Sequence, residues 1–154
     1  MSDFPSIIDW IGGRDAISRW LNVFYDEVER DPLLAPVFGG TVSKEHRDHV
    51  TAWWAEVMGG PAEYTEQYGG YEHMLAKHRD LAISLEQRLR FVTLLSAAAD
   101  TAGIPADPEA RAALMGYAEW GSRLALENSR LGATPAPQAP VPRWGWGVAP
   151  PYQP

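Results

Sequence analysis

The feature that most constrains the fold is a helical repeat of apolar side chains, interrupted at intervals by glycine pairs and prolines. In residues 14–30, apolar side chains recur at steps of three and four, which places them on one face of an α-helix. They are Ile17, Trp20, Leu21, Phe24 and Val28. Gly12-Gly13 precedes this helix, and Asp31-Pro32 ends it because a residue before proline disfavours helical geometry. No useful stretch shows the two-residue alternation of a strand, so the sequence predicts an all-α fold.

Local start and stop signals predict the remaining helices. Ser43 and Asp107 have the side chains that favour the N-cap, and Ser84 with Gln87 three residues later forms a capping-box pattern. Gly59-Gly60 ends the helix that Ser43 opens. The predicted helices are residues 6–11, 14–30, 44–58, 71–78, 84–101 and 107–128, with a short apolar connector at residues 33–38 and a loop at residues 61–70.

A change of composition near residue 130 predicts two parts. Residues 1–129 form the helical domain, and residues 130–154 form a tail rich in proline and tryptophan. Seven prolines lie among the last 24 residues, a composition that favours an extended, polyproline-like segment. Trp144 and Trp146 could anchor this tail on the domain or serve as bait for another protein, and the sequence leaves both alternatives open.

Charge and cysteine content exclude several classes of function. The 13 basic and 20 acidic residues give a net charge of −7 without a basic patch, which argues against nucleic-acid and anionic-lipid partners. No apolar run approaches the roughly 18 residues of a membrane span, and no secretory signal is recognisable, so we expect a cytoplasmic protein. The sequence contains no cysteine, which excludes disulfides, cysteine-held metals and thiol catalysis. A metal would need histidine, carboxylate or phenolate ligands.

The four histidines are the most informative polar residues. His46 and His49 are three residues apart, whereas a helical zinc pair is usually four apart with a glutamate base, and the glutamates of a di-iron bundle are absent. His46 falls on an apolar, tryptophan-rich helix face, and His78 ends a short helix further along the chain. Two such helices could flank a flat cofactor, with one histidine on each side. His73 fits an ordinary surface position.

The order of these features resembles the truncated haemoglobins, most closely their second group, over about residues 7–128. Glycine pairs follow the first short helix and the helix that carries His46. Phe24-Tyr25 lies in the middle of the second helix, and Asp31-Pro32-Leu33 leads to Phe38. Residues 74–78, Met-Leu-Ala-Lys-His, end the segment that carries the last histidine. No single motif here is specific, but the joint order and spacing are.

The resemblance implies a truncated globin domain, a two-over-two helical sandwich that encloses haem b. It implies that His78 is the iron ligand and that Tyr25 and His46 face the open side of the iron, where they act on a gas ligand. The further cofactor contacts that it implies are Phe38, Val50, Trp53, Tyr64, Met74 and Phe91. The candidate cations for the haem propionates are Lys77 and His49, with Arg79 and His73 behind them.

One position departs from the family pattern. The second and third groups usually carry a tryptophan thirteen residues after the iron-ligating histidine, and Phe91 stands there in this chain. Phenylalanine keeps the flat apolar wall but has no hydrogen-bond donor. We therefore expect stabilisation of a bound gas to depend on Tyr25 and His46.

The expected function is binding of oxygen or another diatomic gas, nitric oxide or carbon monoxide, at a haem iron. A second possibility is enzymatic: nitric-oxide dioxygenation or peroxide-driven oxidation, in which His46 would move a proton. No flavin or nicotinamide motif is present, so a reductant would come from a separate reductase. A third is a cofactor-free helical module that uses its tail to bind a partner. Monomer and homodimer both remain open.

Overall fold

A computed structural model describes residues 4–135, 137–149 and 151, and within these residues it is built from helices without strands. The helices are α1 (Ile7–Ile11), α2 (Gly13–Arg30), α3 (Lys44–Val57), α4 (Glu63–Gln67), α5 (Gly70–His78), α6 (Leu85–Thr101) and α7 (Pro108–Asn128), with a 3-10 turn at Ala35–Phe38. The predicted all-α class is confirmed. No helix in the described part of the chain combines the length and the apolarity that crossing a bilayer requires.

Three helices begin where their local signals predict. The Ser43 hydroxyl accepts the backbone N–H of His46 at 3.1 Å, and the Asp107 carboxylate accepts that of Ala110 at 3.2 Å. Ser84 forms the complete capping box, because its hydroxyl and the side chain of the third helical residue each bond to the other's backbone. These caps satisfy N–H groups that the first turn of a helix leaves unpaired.

Helix α4 lies in the segment that we expected to be a loop. The side chain of Tyr64, on this helix, is buried against Ala52 and Met74. The carboxylate of Glu56 on α3 accepts the backbone N–H of Thr65 at 2.9 Å and its hydroxyl at 2.6 Å. Because these partners come from α3 and α5, no local sequence signal could reveal this helix.

The helices pack as two pairs. Helix α2 contacts α3 on one side and α6 on the other, and α6 in turn packs on α7. Trp20, Phe24 and Leu95 are fully buried between them. The Trp20 indole Nε1 donates to the carbonyl oxygen of Leu95 at 2.9 Å, so even this core tryptophan has its polar atom paired. This arrangement is the sandwich that the resemblance implied.

The tail folds back onto the helices. The backbone N–H of Trp144 donates to the Tyr117 hydroxyl at 3.1 Å, and its indole lies so close to Gly116 that a Cβ there would sit 3.1 Å from the ring. The indole N–H of Trp146 donates to the carbonyl oxygen of Pro5 at 2.8 Å. Arg143 donates to the carbonyl oxygen of Val57, in the last turn of α3, at 3.1 Å.

We call the surface formed by Pro5, Trp10, Val57, Gly116 and Tyr117 the tail-docking face. Both indoles that the third hypothesis would offer to a partner are packed on this face. The Trp146 ring also meets the Trp10 ring edge-on at a centroid distance of 5.4 Å. Residues 143–146 of the tail are therefore anchored on the helices.

Candidate functional site

A largely apolar cavity of about 450 Å³ lies between the helix pairs, with walls from the 3-10 turn and all helices from α2 to α7. This volume is in the range of small-molecule and cofactor sites. The structure brings every predicted site residue to it: Tyr25, Phe38, His46, His49, Val50, Trp53, Tyr64, Met74, Lys77, His78 and Phe91. His73 also lines the cavity, whereas Arg79 is not among its lining residues.

His78 occupies the last position of α5 and presents one ring nitrogen for coordination. Its Nδ1 donates to the carbonyl oxygen of Met74 at 2.8 Å, which fixes the tautomer and leaves the lone pair on Nε2. Burial lowers the pKa of the imidazole, although the bond to Met74 acts in the opposite direction. A neutral ring with an oriented, unprotonated nitrogen is the form that ligates a metal.

The turn after His78 is held in an unusual backbone conformation. Asp80 and Ala82 have φ angles of 60° and 52°, a region that costs free energy for residues other than glycine. The backbone N–H of Ala82 donates to the carbonyl oxygen of Ser129 at 2.7 Å, and that of Ile83 to its hydroxyl at 3.0 Å. The fully buried Ser129, just beyond α7, thus anchors the connection behind His78.

His46 on α3 carries an unpaired polar atom into the same cavity. Its Nε2 is buried and has no hydrogen-bond partner among the described residues. Burial lowers the pKa of this imidazole, and the nearby Lys77 and His49 lower it further, so the ring is neutral at pH 7. A buried polar atom without a partner costs roughly 1–3 kcal/mol, which makes it a marker of a site for a missing polar group.

Tyr25 projects from the middle of α2 and is almost fully buried. Its ring meets those of Phe38 and His46 edge-on, at centroid distances of 5.6 and 5.5 Å. Burial raises the pKa of the phenol far above its usual range, although the Arg47 cation partly opposes the rise. The hydroxyl therefore keeps its proton and remains a hydrogen-bond donor at all physiological pH values.

Flat aromatic rings form the rest of the wall. Trp53 lines the cavity and stacks on Trp120 with an interplanar angle of 3° and a centroid distance of 5.9 Å. Gly121 on α7 makes room for the indoles, since a Cβ there would lie 3.1 Å from Trp54 and 3.3 Å from Trp53. Phe91 packs edge-on against Phe24 at 4.8 Å and adds no donor.

Polar rings and a cation form one side of the cavity. The Tyr64 hydroxyl is hydrogen-bonded to His73 Nδ1 at 3.0 Å, and the His49 ring lies 4.1 Å from that of Tyr68. Lys77 is an exposed lining residue. Among the described residues, no group of three or more histidines and carboxylates is arranged to hold a bare metal ion.

Sequence reasoning missed two buried arginines. Arg88 on α6 lines the cavity and donates from Nη1 to Glu119 at 2.8 Å and to Ser122 at 3.2 Å, while its Nε is buried without a partner. Arg47 on α3 pairs with the carboxylates of Asp26 and Glu29. The carboxylates that hold both arginines lie on other helices, so no local pattern marked them.

The comparisons with known proteins agree with this geometry. A family model described as a bacterial-like globin matches residues 6–119, and the chain belongs to that family. It is 28% identical to the group 2 truncated hemoglobin YjbI of Bacillus subtilis over 111 residues, which cover 72% of this chain and 81% of that protein. It is 38% identical to the group 1 truncated hemoglobin GlbN of Nostoc commune over 65 residues, 42% of this chain and about half, 52%, of that protein.

Solved structures show the same fold. A hemoglobin from Chloroflexus aurantiacus matches with a TM-score of 0.68 and 27% identity, covering 79% of this chain and 98% of that one. The group II truncated hemoglobin from Bacillus anthracis matches with a TM-score of 0.71 and 20% identity over 86% and 95% of the two chains, which speaks for the fold alone. The resemblance to the truncated haemoglobins is confirmed, and membership of a globin family implies haem binding.

The described residues fit a haem. The cavity has flat aromatic walls, one neutral imidazole with an oriented free nitrogen, and a second imidazole nitrogen that is buried without a partner. A haem would need one imidazole to hold its iron and a polar group close to a bound gas, and the described residues of the cavity include both kinds of side chain.

Proposed function

We propose that this chain binds haem b in the cavity, with His78 as the iron ligand, and takes up oxygen or another diatomic gas. One observation carries the proposal: two neutral imidazoles from different helices line the same apolar cavity, and neither has all its polar atoms paired. His46 Nε2 is buried without a partner, and the Nδ1 bond to Met74 leaves His78 Nε2 as the ligating atom. The unpaired nitrogen of His46 costs stability unless a ligand occupies the cavity.

Haem, when bound, supplies an iron with an open coordination position for a small gas. The residues of the chain hold the haem and orient its iron ligand. The carbonyl oxygen of Met74 fixes the His78 ring. Lys77 and His49, which line the cavity, are the candidate partners of the propionates, with the His73–Tyr64 pair beside them.

Tyr25 and His46 are proposed to act on the gas. The buried phenol keeps its proton and donates a hydrogen bond. The neutral His46 ring has a donor or acceptor available, depending on its tautomer. Phe91 contributes only an apolar surface, so the chain retains oxygen less tightly than it would with a donor at that position.

The direct test is the absorption spectrum of the purified protein titrated with haemin, before and after reduction and addition of carbon monoxide. The wild-type chain is expected to give a one-to-one complex with the bands of an imidazole-ligated haem. His78→Gly should weaken haem affinity by about a hundredfold or more, and added imidazole should restore the bands. Glu72→Ala, on an exposed position of the same helix, is the matched control. An unchanged spectrum in His78→Gly would overturn the ligand assignment.

A second candidate function, nitric-oxide dioxygenation or peroxide-driven oxidation, is favoured by one observation. Burial and the neighbouring cations lower the pKa of His46, so at neutral pH its ring can accept a proton inside the cavity. A separate reductase would supply electrons. Steady turnover of nitric oxide with a reductant, lost in His46→Leu, would favour the enzyme, whereas slow autoxidation without turnover would favour a gas carrier.

A further inference from the structure

Arg47 is the residue after His46 on α3, and its side chain is only 11% exposed. Nearly every donor of its guanidinium is engaged, and most acceptors lie on α2. The acceptors are the backbone oxygen of Val42 at 3.1 Å, the backbone oxygen of Asn22 at 3.1 Å, the Asp26 carboxylate at 2.7 Å and the Glu29 carboxylate. Two carboxylates therefore pair with one largely buried cation.

This guanidinium also lies against the ring of Tyr25. Its central carbon is 5.9 Å from the ring centroid, within the range in which a cation is attracted to the negative face of an aromatic ring. The rings of Phe38 and His46 meet the tyrosine edge-on from other directions. The phenol is thus confined by Arg47, Phe38 and His46, and of these Arg47 alone carries a permanent charge.

The charge has an electrical effect as well as a steric one. A cation beside a phenol favours negative charge on its oxygen, which makes the O–H group a stronger hydrogen-bond donor. The planar guanidinium of Arg47 also links α3, which carries His46, to α2, which carries Tyr25. A lysine could reach one carboxylate but could not hold both helices with the same geometry.

We propose that Arg47 is a positioning residue: it fixes the Tyr25 phenol in the orientation and polarisation from which it donates to a gas in the cavity. The proposal rests on the proposed function of the cavity. It also gives a reason why one phenol can serve where Phe91 offers no donor. Arg47 itself is not a lining residue of the cavity, so its effect passes through Tyr25.

The experiment compares Arg47→Met, Arg47→Lys and Tyr25→Phe in the haem-loaded protein. The readouts are the C–O stretching frequency of the carbon monoxide complex and the rate of oxygen release. Arg47→Met should shift the frequency part of the way toward that of Tyr25→Phe and speed release about three- to tenfold. Arg47→Lys should restore part of the frequency because it keeps the charge. In a Tyr25→Phe background, Arg47→Met should add little.

Arg111→Met is the matched control. Arg111 is a mostly buried arginine that pairs with Asp100 at 2.7 Å and donates to two backbone oxygens, but it lies at the junction of α6 and α7. Arg111→Met should lower the melting temperature of the protein without shifting the C–O stretching frequency. If Arg47→Met destabilises the protein to a similar degree and leaves the frequency at its wild-type value, Arg47 has a structural role only and the proposal is overturned.

A second variant and a second readout keep the test decisive if Arg47→Met does not fold. Glu29→Gln removes one of the two carboxylate charges that pair with Arg47. It should shift the C–O stretching frequency in the same direction as Arg47→Met, but by less. In the haem-free protein, NMR of ring-labelled tyrosine should show a slower ring flip for Tyr25 in the wild type than in Glu29→Gln. Equal flip rates would contradict the proposed positioning of Tyr25 by Arg47. Failure of the wild type to take up haem would contradict the proposed function instead.

Discussion

The cavity and the tail-docking face are both lined by aromatic rings that carry polar atoms, but they differ in whether those atoms have hydrogen-bond partners. On the tail-docking face two indole N–H groups have acceptors: Trp10 donates to Asp107 at 2.8 Å and Trp146 to the carbonyl oxygen of Pro5 at 2.8 Å. In the cavity, His46 Nε2 is buried with none. These two indole N–H groups are paired within the chain, whereas we propose that a bound ligand pairs the His46 nitrogen.

The difference separates stability from function. A satisfied hydrogen bond and a buried ring contribute to the free energy of folding. An unpaired buried atom subtracts from it and persists where a bound group repays the cost. Variants on the two surfaces should therefore change different observables, and the following predictions test that separation in order of decreasing effect.

Trp144→Ala should lower the free energy of unfolding by about 2 kcal/mol, because it empties the space that Gly116 leaves for the indole. Urea unfolding of the haem-loaded protein measures this loss. The rate of oxygen release should not change. Val148→Ala, at a fully exposed tail position, should alter neither quantity. If Trp144→Ala changed gas release as strongly as stability, the two surfaces would not be separable.

Tyr25→Phe should speed oxygen release by about ten- to a hundredfold, the value of one hydrogen bond to a partly charged acceptor. Stopped-flow measurement of release gives the effect. Tyr117→Phe makes the matched comparison, because it removes a phenol that pairs with Trp144 on the tail-docking face. It should cost stability and leave release unchanged. The reverse pattern would show that we have assigned the two phenols to the wrong roles.

Phe91→Trp should slow oxygen release by up to about tenfold by adding an indole N–H to the cavity wall. Phe91→Leu, which changes the wall without adding a donor, should not slow it. Identical release rates in Phe91→Trp and the wild type would mean that this side chain does not reach the gas.

The smallest effect concerns a carboxylate outside both surfaces. Burial alone would raise the pKa of Asp31, but the Arg90 cation at 2.6 Å and the N–H groups of Leu33 and Leu34 outweigh it and lower the pKa below 3.8. A carboxyl with a lowered native pKa stabilises the fold above its unfolded pKa and loses this contribution as the pH falls through the native value.

Asp31→Asn should therefore cost about 1 kcal/mol at pH 7, and the difference from the wild type should shrink as the pH falls below about 4. Glu27→Gln, which alters an exposed pair on the same helix, is the control and should show no such dependence. A constant difference between Asp31→Asn and the wild type across this range would contradict the charge-based explanation.

The local signals and the apolar periodicity of the sequence predicted most of the helices. Ser43, Ser84 and Asp107 begin their helices as expected, because a cap depends on residues within one turn of it. Helix α4 was missed because its stabilising partners come from α3 and α5. The site residues followed from the resemblance, and the structure gathers them in one cavity while their roles remain predictions.

By itself, the sequence determined the all-α class, three capped helix starts and the apolar helix face that carries His46, since each of these depends on residue types and short spacings. The tertiary structure decided which polar atoms have partners on other helices, and it buried His46 and His78, which lowers the pKa of both rings. The bond from Arg47 to Asn22 and the bond from Trp144 to Tyr117 both join residues more than fifteen positions apart. Their geometry depends on how helices pack, and helical periodicity carries no information about which faces meet.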